Sequence, residues 1–133
     1  MSDTLVLIKP DAVSKGLIGE IIRIYEINGL TIEDLKMVRP DKELLQKHYE
    51  EHLMRDFYPE LEAFMMSGQV VALQIHGYGA VDLVRELNGS TNPQKARINT
   101  IRYLFGTSVQ MNAVHGSADD AAAKRELSLW FDV

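Results

Sequence analysis

The sequence has no cysteine, which excludes disulfides, thiolate metal sites and a cysteine nucleophile. No apolar run approaches the roughly 18 residues that a membrane-spanning helix needs. The opening, MSDTLVLIKP, has an acidic residue and too short an apolar stretch for a signal peptide. A cytoplasmic location is therefore expected. A Walker-type GxxxxGK[ST] loop is also missing, and Gly16 and Gly19 in KGLIGE read as a tight turn into a helix. Any phosphate bound here has to be held by side chains. Positive charge is in the minority, with 14 Lys and Arg against 19 Asp and Glu and a formal net charge of −5. A broad nucleic-acid surface is not expected on such a chain. There is no repeat, linker or low-complexity tract, so residues 1–133 read as one domain around one core.

What is present is a regular alternation of strand and helix signals. TLVLI, Thr4 to Ile8, is a short buried strand ended by Lys9-Pro10-Asp11. Ile18, Ile21, Ile22 and Tyr25 have helical spacing, and Asn28-Gly29 stops that helix. Leu30 to Val38 is a second strand whose apolar phase shifts between Ile32 and Leu35, as at a bulge. Asp41 can cap a helix with a buried stripe of Leu45, His48, Tyr49, His52 and Leu53. Pro59 suits the first turn of a further helix, ended by Gly68. Val70 to Ile75 is a third strand, Ala80 to Leu87 a helix, and Met111 to His115 a fourth strand. Ser117 reads as the cap of a last helix, with Asp120 completing a capping box. His76, before Gly77, reads as a turn residue. The order fits an α+β, ferredoxin-like plan: a four-stranded antiparallel sheet with helices on one face and a long active-site loop. That plan alone says little about function.

Four places have to be weighed for chemistry. Asn88 to Gln110 is long for a loop in a small domain, and it holds Ser90, Thr91, Asn92, Lys95, Arg97 and Arg102, with Arg85 just upstream. Guanidinium forks beside hydroxyls form a phosphate-holding set, although a solvated basic loop has the same composition. Lys9 is the other obvious cation, and a plain solvated strand end fits it equally well. His115 lies in NAVHGS, with Asn112 ahead and Gly116 and Ser117 after it. Glu126 could orient its imidazole through one nitrogen and leave the other nucleophilic. At about 1.5 Å per residue Glu126 is roughly 13 Å along the helix from Ser117, so His115 has to fold back beside it. HYEEH, His48 to His52, matches the H-x-x-E-H zinc pattern. Both histidines fall on the buried stripe and no third ligand is evident, so a protein-held metal is not expected.

Taken together, these fragments resemble the nucleoside diphosphate kinase family over essentially the full length. The matching stretches are TLVLIKPDAV, GLIGEII, HYEEH…FYPEL, LNGSTNP, NTIR, NAVHGS and ELSLWF, in order and with near-constant spacing. The resemblance implies a ferredoxin-like subunit of a homotetramer or homohexamer. It also implies transfer of the terminal phosphoryl group of nucleoside triphosphates to diphosphates, through a phosphohistidine and with Mg²⁺ on the nucleotide. Carried over by residue, it makes His115 the nucleophile, positioned by Glu126 and Ser117. Lys9, Tyr49, Arg85, Thr91, Arg102 and Asn112 match positions that hold phosphates and ribose or support the histidine. Phe57, with Leu61 and Val109 nearby, matches the base-stacking slot.

The family's loop reads Pro-Gly-Thr-Ile-Arg-Gly-Asp-Phe, whereas here Ile98-Asn99 precede Thr100 and Tyr103-Leu104 replace Gly-Asp. His-Gly-Ser-Asp becomes His115-Gly116-Ser117-Ala118. These departures fall on loop geometry and subunit packing rather than on residues matched to substrate. The competing readings are a nucleotide-binding regulatory module of the same fold with weak transfer, favoured by the altered loop, and a nucleic-acid binder, disfavoured by charge.

Overall fold

A computed structural model describes residues 1–132. The sheet has the order β2-β3-β1-β4, where β1 is Ser2–Ile8, β2 Thr31–Val38, β3 Val70–Gly77 and β4 Val114–Gly116. All pairs are antiparallel, with Thr4 opposite Ile75 and Leu7 opposite His115. The expected bulge is present: Ile32 pairs with Ile75 and Asp34 with Gln74, so Glu33 is the extra residue. The ferredoxin-like plan read from the sequence is the observed one.

The helices do not keep to one face. Leu5, Val6, Leu7 and Ile8 are all fully buried, which requires cover on both sides of the strand. Val6, Ile8, Val71 and Leu73 pack with Ile21 and Tyr25 of α2 (Ile18–Ile27) and Val84 of α5 (Ala80–Asn88). Leu5, Leu7, Val70 and Ala72 pack with Leu45 of α3 (Lys42–His48), Phe64 of α4 (Tyr58–Met65) and Trp130 of α7 (Asp120–Phe131). The one core expected is therefore two apolar layers sandwiching the sheet.

Local chemistry explains most boundaries. Pro10 opens the short helix α1 (Pro10–Ser14), where its missing N–H is not needed. Asp41 caps α3 by accepting from Leu44 N–H at 2.9 Å. The stripe predicted to run from Leu45 to Leu53 ends early, because α3 stops at His48 and a 3₁₀ turn follows at Glu50–His52. His52 is then half-buried and Leu53 exposed. His76 lies within β3 and its ring pairs with Asp3, so it is not a turn residue. The loop after Asn88 contains a 3₁₀ turn at Pro93–Lys95 and the helix α6 (Ile101–Phe105). The last helix is capped by Asp119, which accepts from Ala122 N–H, and not by Ser117.

Candidate active site

The end of β1 and the start of β4 are tied together ahead of His115. Lys9 N–H donates to Ala113 O at 2.9 Å, and Asp11 Oδ2 accepts from Ala113 N–H at 3.1 Å. Val114 N–H donates back to Asn112 O at 2.9 Å, closing a three-residue turn around Ala113 at φ 75°. A non-glycine residue in that region costs on the order of 1–3 kcal/mol and persists only where its surroundings over-determine it. Two backbone hydrogen bonds and the one to the Asp11 carboxylate do so here. The kink shortens the expected fourth strand to Val114–Gly116 and sets the direction in which His115 leaves the sheet. Gly116 has to be glycine, since a Cβ would meet Asn88 Nδ2 at 2.8 Å and Val84 Cγ1 at 3.1 Å.

His115 does fold back to α7. Its Nε2 lies 2.9 Å from Glu126 Oε1, and Ser117 Oγ–H donates to the same oxygen at 2.7 Å. Ser117 Oγ in turn accepts from Leu5 N–H, which anchors the group to the central strand. Burial alone would raise the Glu126 pKa, but the hydrogen bond and charge of His115, with help from His48 and Ser117, bring it below the ordinary carboxylate value. An ionised Glu126 places the imidazole proton on Nε2. Nδ1 is then the lone-pair nitrogen available to the cleft that His115 lines.

That cleft, of about 1230 Å³, is lined by Lys9, Tyr49, Phe57, Arg85, Thr91, Arg102, Asn112 and His115. Leu61 and Val109 line it too. Its size suits a ligand larger than a simple anion. Of the residues matched to the family's site, only Ser117 and Glu126 lie behind its wall. Lys9 is no solvated strand end. It is 7 % exposed, and Nζ donates to Asn112 Oδ1 at 2.8 Å, while Asn112 Nδ2 donates to Thr91 O at 3.0 Å. Burial, then the charge of Arg102, pulls the Lys9 pKa down to about 8 against the opposing charge of Asp11. Arg102 already gives Nη1 to Gly89 O and Nη2 to Val114 O, so it braces the loop as well as lining the cleft. Arg85 donates to Ala118 O from an exposed position. Phe57 is 49 % exposed at the start of α4, and its ring centroid lies 5.6 Å from that of His52. Tyr49 is buried, and its hydroxyl has no hydrogen-bond partner among the described residues.

Two participants were not legible as such. Asp11 looked like a strand terminator and is the acceptor that holds Ala113. His48, set aside with the zinc pattern, packs its ring edge against His115 with centroids 4.6 Å apart. Its Nδ1 accepts from Trp130 Nε1–H at 3.0 Å, so it does not work with His52 as a chelating pair.

The sheet order and the cleft define a ferredoxin-like protein with a pocket in which His115 stands beside lysine and arginine side chains. A family model described as nucleoside diphosphate kinase matches residues 2–133. A nucleoside diphosphate kinase of Rubrobacter xylanophilus is 50% identical over 131 residues, covering 98% of this chain and 98% of the relative. One from Caldanaerobacter subterraneus subsp. tengcongensis is 48% identical, covering 98% and 94%. The crystal structure of the apo nucleoside diphosphate kinase of Encephalitozoon cuniculi superposes with a TM-score of 0.96 at 40% identity, covering 98% of this chain and 89% of that one. The chain belongs to the nucleoside diphosphate kinase family, as its motifs implied.

Proposed function

We propose that this protein moves the terminal phosphoryl group of a nucleoside triphosphate to a nucleoside diphosphate by way of His115. Membership of the family makes it a phosphotransferase. The observation that carries the assignment to His115 is the Ser117–Glu126–His115 chain at 2.7 and 2.9 Å, ending at the cleft. His115 Nδ1 attacks the terminal phosphorus, the bond to the bridging oxygen breaks, and a nucleoside diphosphate leaves with that oxygen. Glu126 keeps the Nε2 proton in place as the ring takes up positive charge, and Ser117 holds Glu126. A second diphosphate then attacks the phosphohistidine, so donor and acceptor use one site in turn. Charge on the transferring oxygens is met by Lys9, Arg85 and Arg102. Thr91 and Asn112 serve the phosphates and ribose, Tyr49 closes the wall beside His115, and the base stacks on Phe57 between Leu61 and Val109.

A divalent cation, Mg²⁺ in our reading, comes in on the nucleotide phosphates and neutralises part of their charge. Among the described residues one group of three could hold a metal, His48, His115 and Glu126. His115 and Glu126 are hydrogen-bonded to each other and His48 Nδ1 to Trp130, and two imidazoles with one carboxylate do not suit an ion that takes oxygen ligands. The residues present therefore fit a nucleotide-borne ion and not a protein-held one.

The same reading covers all 133 residues as one unit, located in the cytoplasm and working as a homotetramer or homohexamer. Assembly is supported by β2, an edge strand whose Leu35 and Met37 are 49% and 54% exposed, since open apolar edges invite pairing. Among the described residues no helix is long and apolar enough to cross a membrane, and the net charge speaks against specific nucleic-acid binding. The regulatory-module alternative loses ground because the chain belongs to the family and His115, Glu126, Ser117, Lys9 and Asn112 are hydrogen-bonded in place.

The test is acid-labile labelling by γ-labelled ATP, followed by discharge to a second diphosphate. The wild type takes up and passes on label, and His115→Ala does neither. Labelling of His115→Ala at the wild-type level places the nucleophile elsewhere.

A further inference from the structure

His48 sits at the C-terminal end of α3, and the reaction outlined above makes no use of it. It is 4 % exposed. Its Nδ1 accepts from Trp130 Nε1–H at 3.0 Å, and its ring meets the His115 ring at an interplanar angle of 75°. Tyr49 closes on it from another side, with centroids 4.5 Å apart at 89°. A ring nitrogen of His48, one of His115 and an oxygen of Glu126 all lie within 4.8 Å of one another.

The tautomer follows from the chemistry. An indole nitrogen can only donate, so Nδ1 of His48 carries the lone pair and the neutral ring has its proton on Nε2. Protonating Nδ1 would set one N–H against another. Burial first, then the charge of His115, disfavours the cation, with Arg125 and Lys9 adding to the effect and Glu126 opposing it. His48 is thus a poor base. As a metal ligand it would have to give up Trp130. Its Nε2 is nevertheless enclosed with no hydrogen-bond partner among the described residues, an arrangement unfavourable for folding that calls for another role.

His115 has a matching need. One hydrogen bond to Glu126 fixes a nitrogen but not the ring plane, because rotation about the last side-chain bond of histidine is soft. A turned ring would aim carbon at the cleft in place of Nδ1. We propose that His48 is a positioning residue for the nucleophile: a neutral ring, oriented by Trp130, that acts as the wall holding the His115 imidazole in the plane shared by Glu126 and the cleft. The proposal rests on the reading of His115 as nucleophile and adds what keeps it aimed.

The experiment compares full-length His48→Ala, His48→Phe and His48→Gln by two readouts. These are the rate of phosphohistidine formation after mixing with ATP, and the tautomer of His115 from ¹⁵N-histidine NMR. Phe restores a ring but cannot accept from Trp130; Gln accepts from Trp130 but has no ring. Removing the wall in His48→Ala should slow phosphorylation between about tenfold and a hundredfold, the range for a misplaced reacting group. The KM for ATP should stay within about twofold, as for a loss confined to the chemical step. The His115 signal should change from one tautomer to a mixture. Phe should recover most of the rate and Gln should not. Recovery by Gln and not by Phe overturns the proposal, because His48 would then serve Trp130 alone. So does His48→Ala with the wild-type rate and a single tautomer. If His48→Ala fails to fold, the Phe and Gln variants decide between these outcomes. If the wild type forms no phosphohistidine, the functional reading fails, and the tautomer signal still decides whether His48 holds the ring.

Discussion

At and just behind the floor of the cleft, Lys9, Asn112, Ser117 and Glu126 are buried, and each is hydrogen-bonded to another protein group. At its rim, Phe57, Arg85, Thr91 and Val109 are exposed. The floor is drawn from the central strand, β4 and α7, while the rim comes from α5, the start of α4 and the loop beyond Asn88. Groups that stabilise developing charge work best when already oriented. Groups that gather a ligand can settle when it arrives. Damage at the floor should therefore appear in kcat, and damage at the rim in KM.

Glu126→Gln is the strongest way to break that contrast. It keeps the shape and removes the charge that holds the Nε2 proton. We expect kcat to fall at least about a hundredfold, comparable with losing one preorganised electrostatic partner, while the KM for ATP changes little. Stability supplies a second check. Glu126 titrates below its ordinary value of 4.5 in the folded chain, so its contribution is present above that value and fades as pH falls through the folded pKa. Urea midpoints of wild type and variant should differ at pH 7 and converge in acid. A constant gap would mean the carboxylate is not held ionised by its neighbours.

Lys9 sharpens the contrast, since it belongs to the floor by burial yet lines the cleft. With its pKa pulled to about 8, it loses charge as pH rises through that value. We expect kcat/KM to fall by up to about tenfold per pH unit beyond it, as for a single essential ionisation. Lys9→Gln should start low and lack this limb. The stability effect runs with pH in the same direction as that of Glu126, but in an alkaline window, because there the charged form of Lys9 is the one burial disfavours. Between about 8 and the ordinary 10.5 the unfolded chain binds more protons, so the fold gains stability with rising pH.

Phe57→Ala tests the rim. Base stacking contributes roughly 1–3 kcal/mol and tolerates any base, and a half-exposed ring belongs at the lower end. KM should rise about tenfold for adenine, guanine, cytosine and uracil nucleotides alike, with kcat within a few-fold. A drop in kcat of the same size would place Phe57 with the floor.

The smallest effect is expected in the loop. Asn99 adopts φ 70°, the left-handed region where the family's pattern has glycine, and Ile98 beside it is 71% exposed. Ile98→Pro with Asn99→Gly should raise stability by roughly 0.4–1 kcal/mol through the unfolded chain and leave kcat/KM within a few-fold. A hundredfold gain in kcat/KM, about 2.7 kcal/mol, would show that the native loop misplaces its phosphate ligands.

How much of this was legible varies with the range of the interaction. Strand and helix positions, the bulge at Glu33 and the Asp41 cap depend on near neighbours, and periodicity exposed them. The unbroken LVLI run already called for cover on both faces of the sheet, a signal that the four-stranded plan obscured. Ser117 and Asp119 are both good capping types, and the choice was made by Glu126, which takes the Ser117 hydroxyl from α7. The shortening of β4 depends on Asp11, 102 residues from Ala113. The orientation of His48 depends on Trp130, 82 residues away. Pattern reading reaches a few turns, and these bonds cross the molecule.

The tie between the two ends of the site has a consequence for how the protein is made. Lys9 meets Asn112 across 103 residues and Leu5 meets Ser117 across 112, so the cleft closes only after nearly the whole chain is available to it. Contacts of that separation are slow to form. A nascent chain that stops short of residue 112 has β1 in place but no opposing wall, and nothing with which to grip a nucleotide. Once closed, a ligand spanning Lys9 and Asn112 binds the folded chain and not the unfolded one, so it stabilises the entire fold by mass action. Cells rich in nucleotide would hold this protein folded more firmly than cells depleted of it.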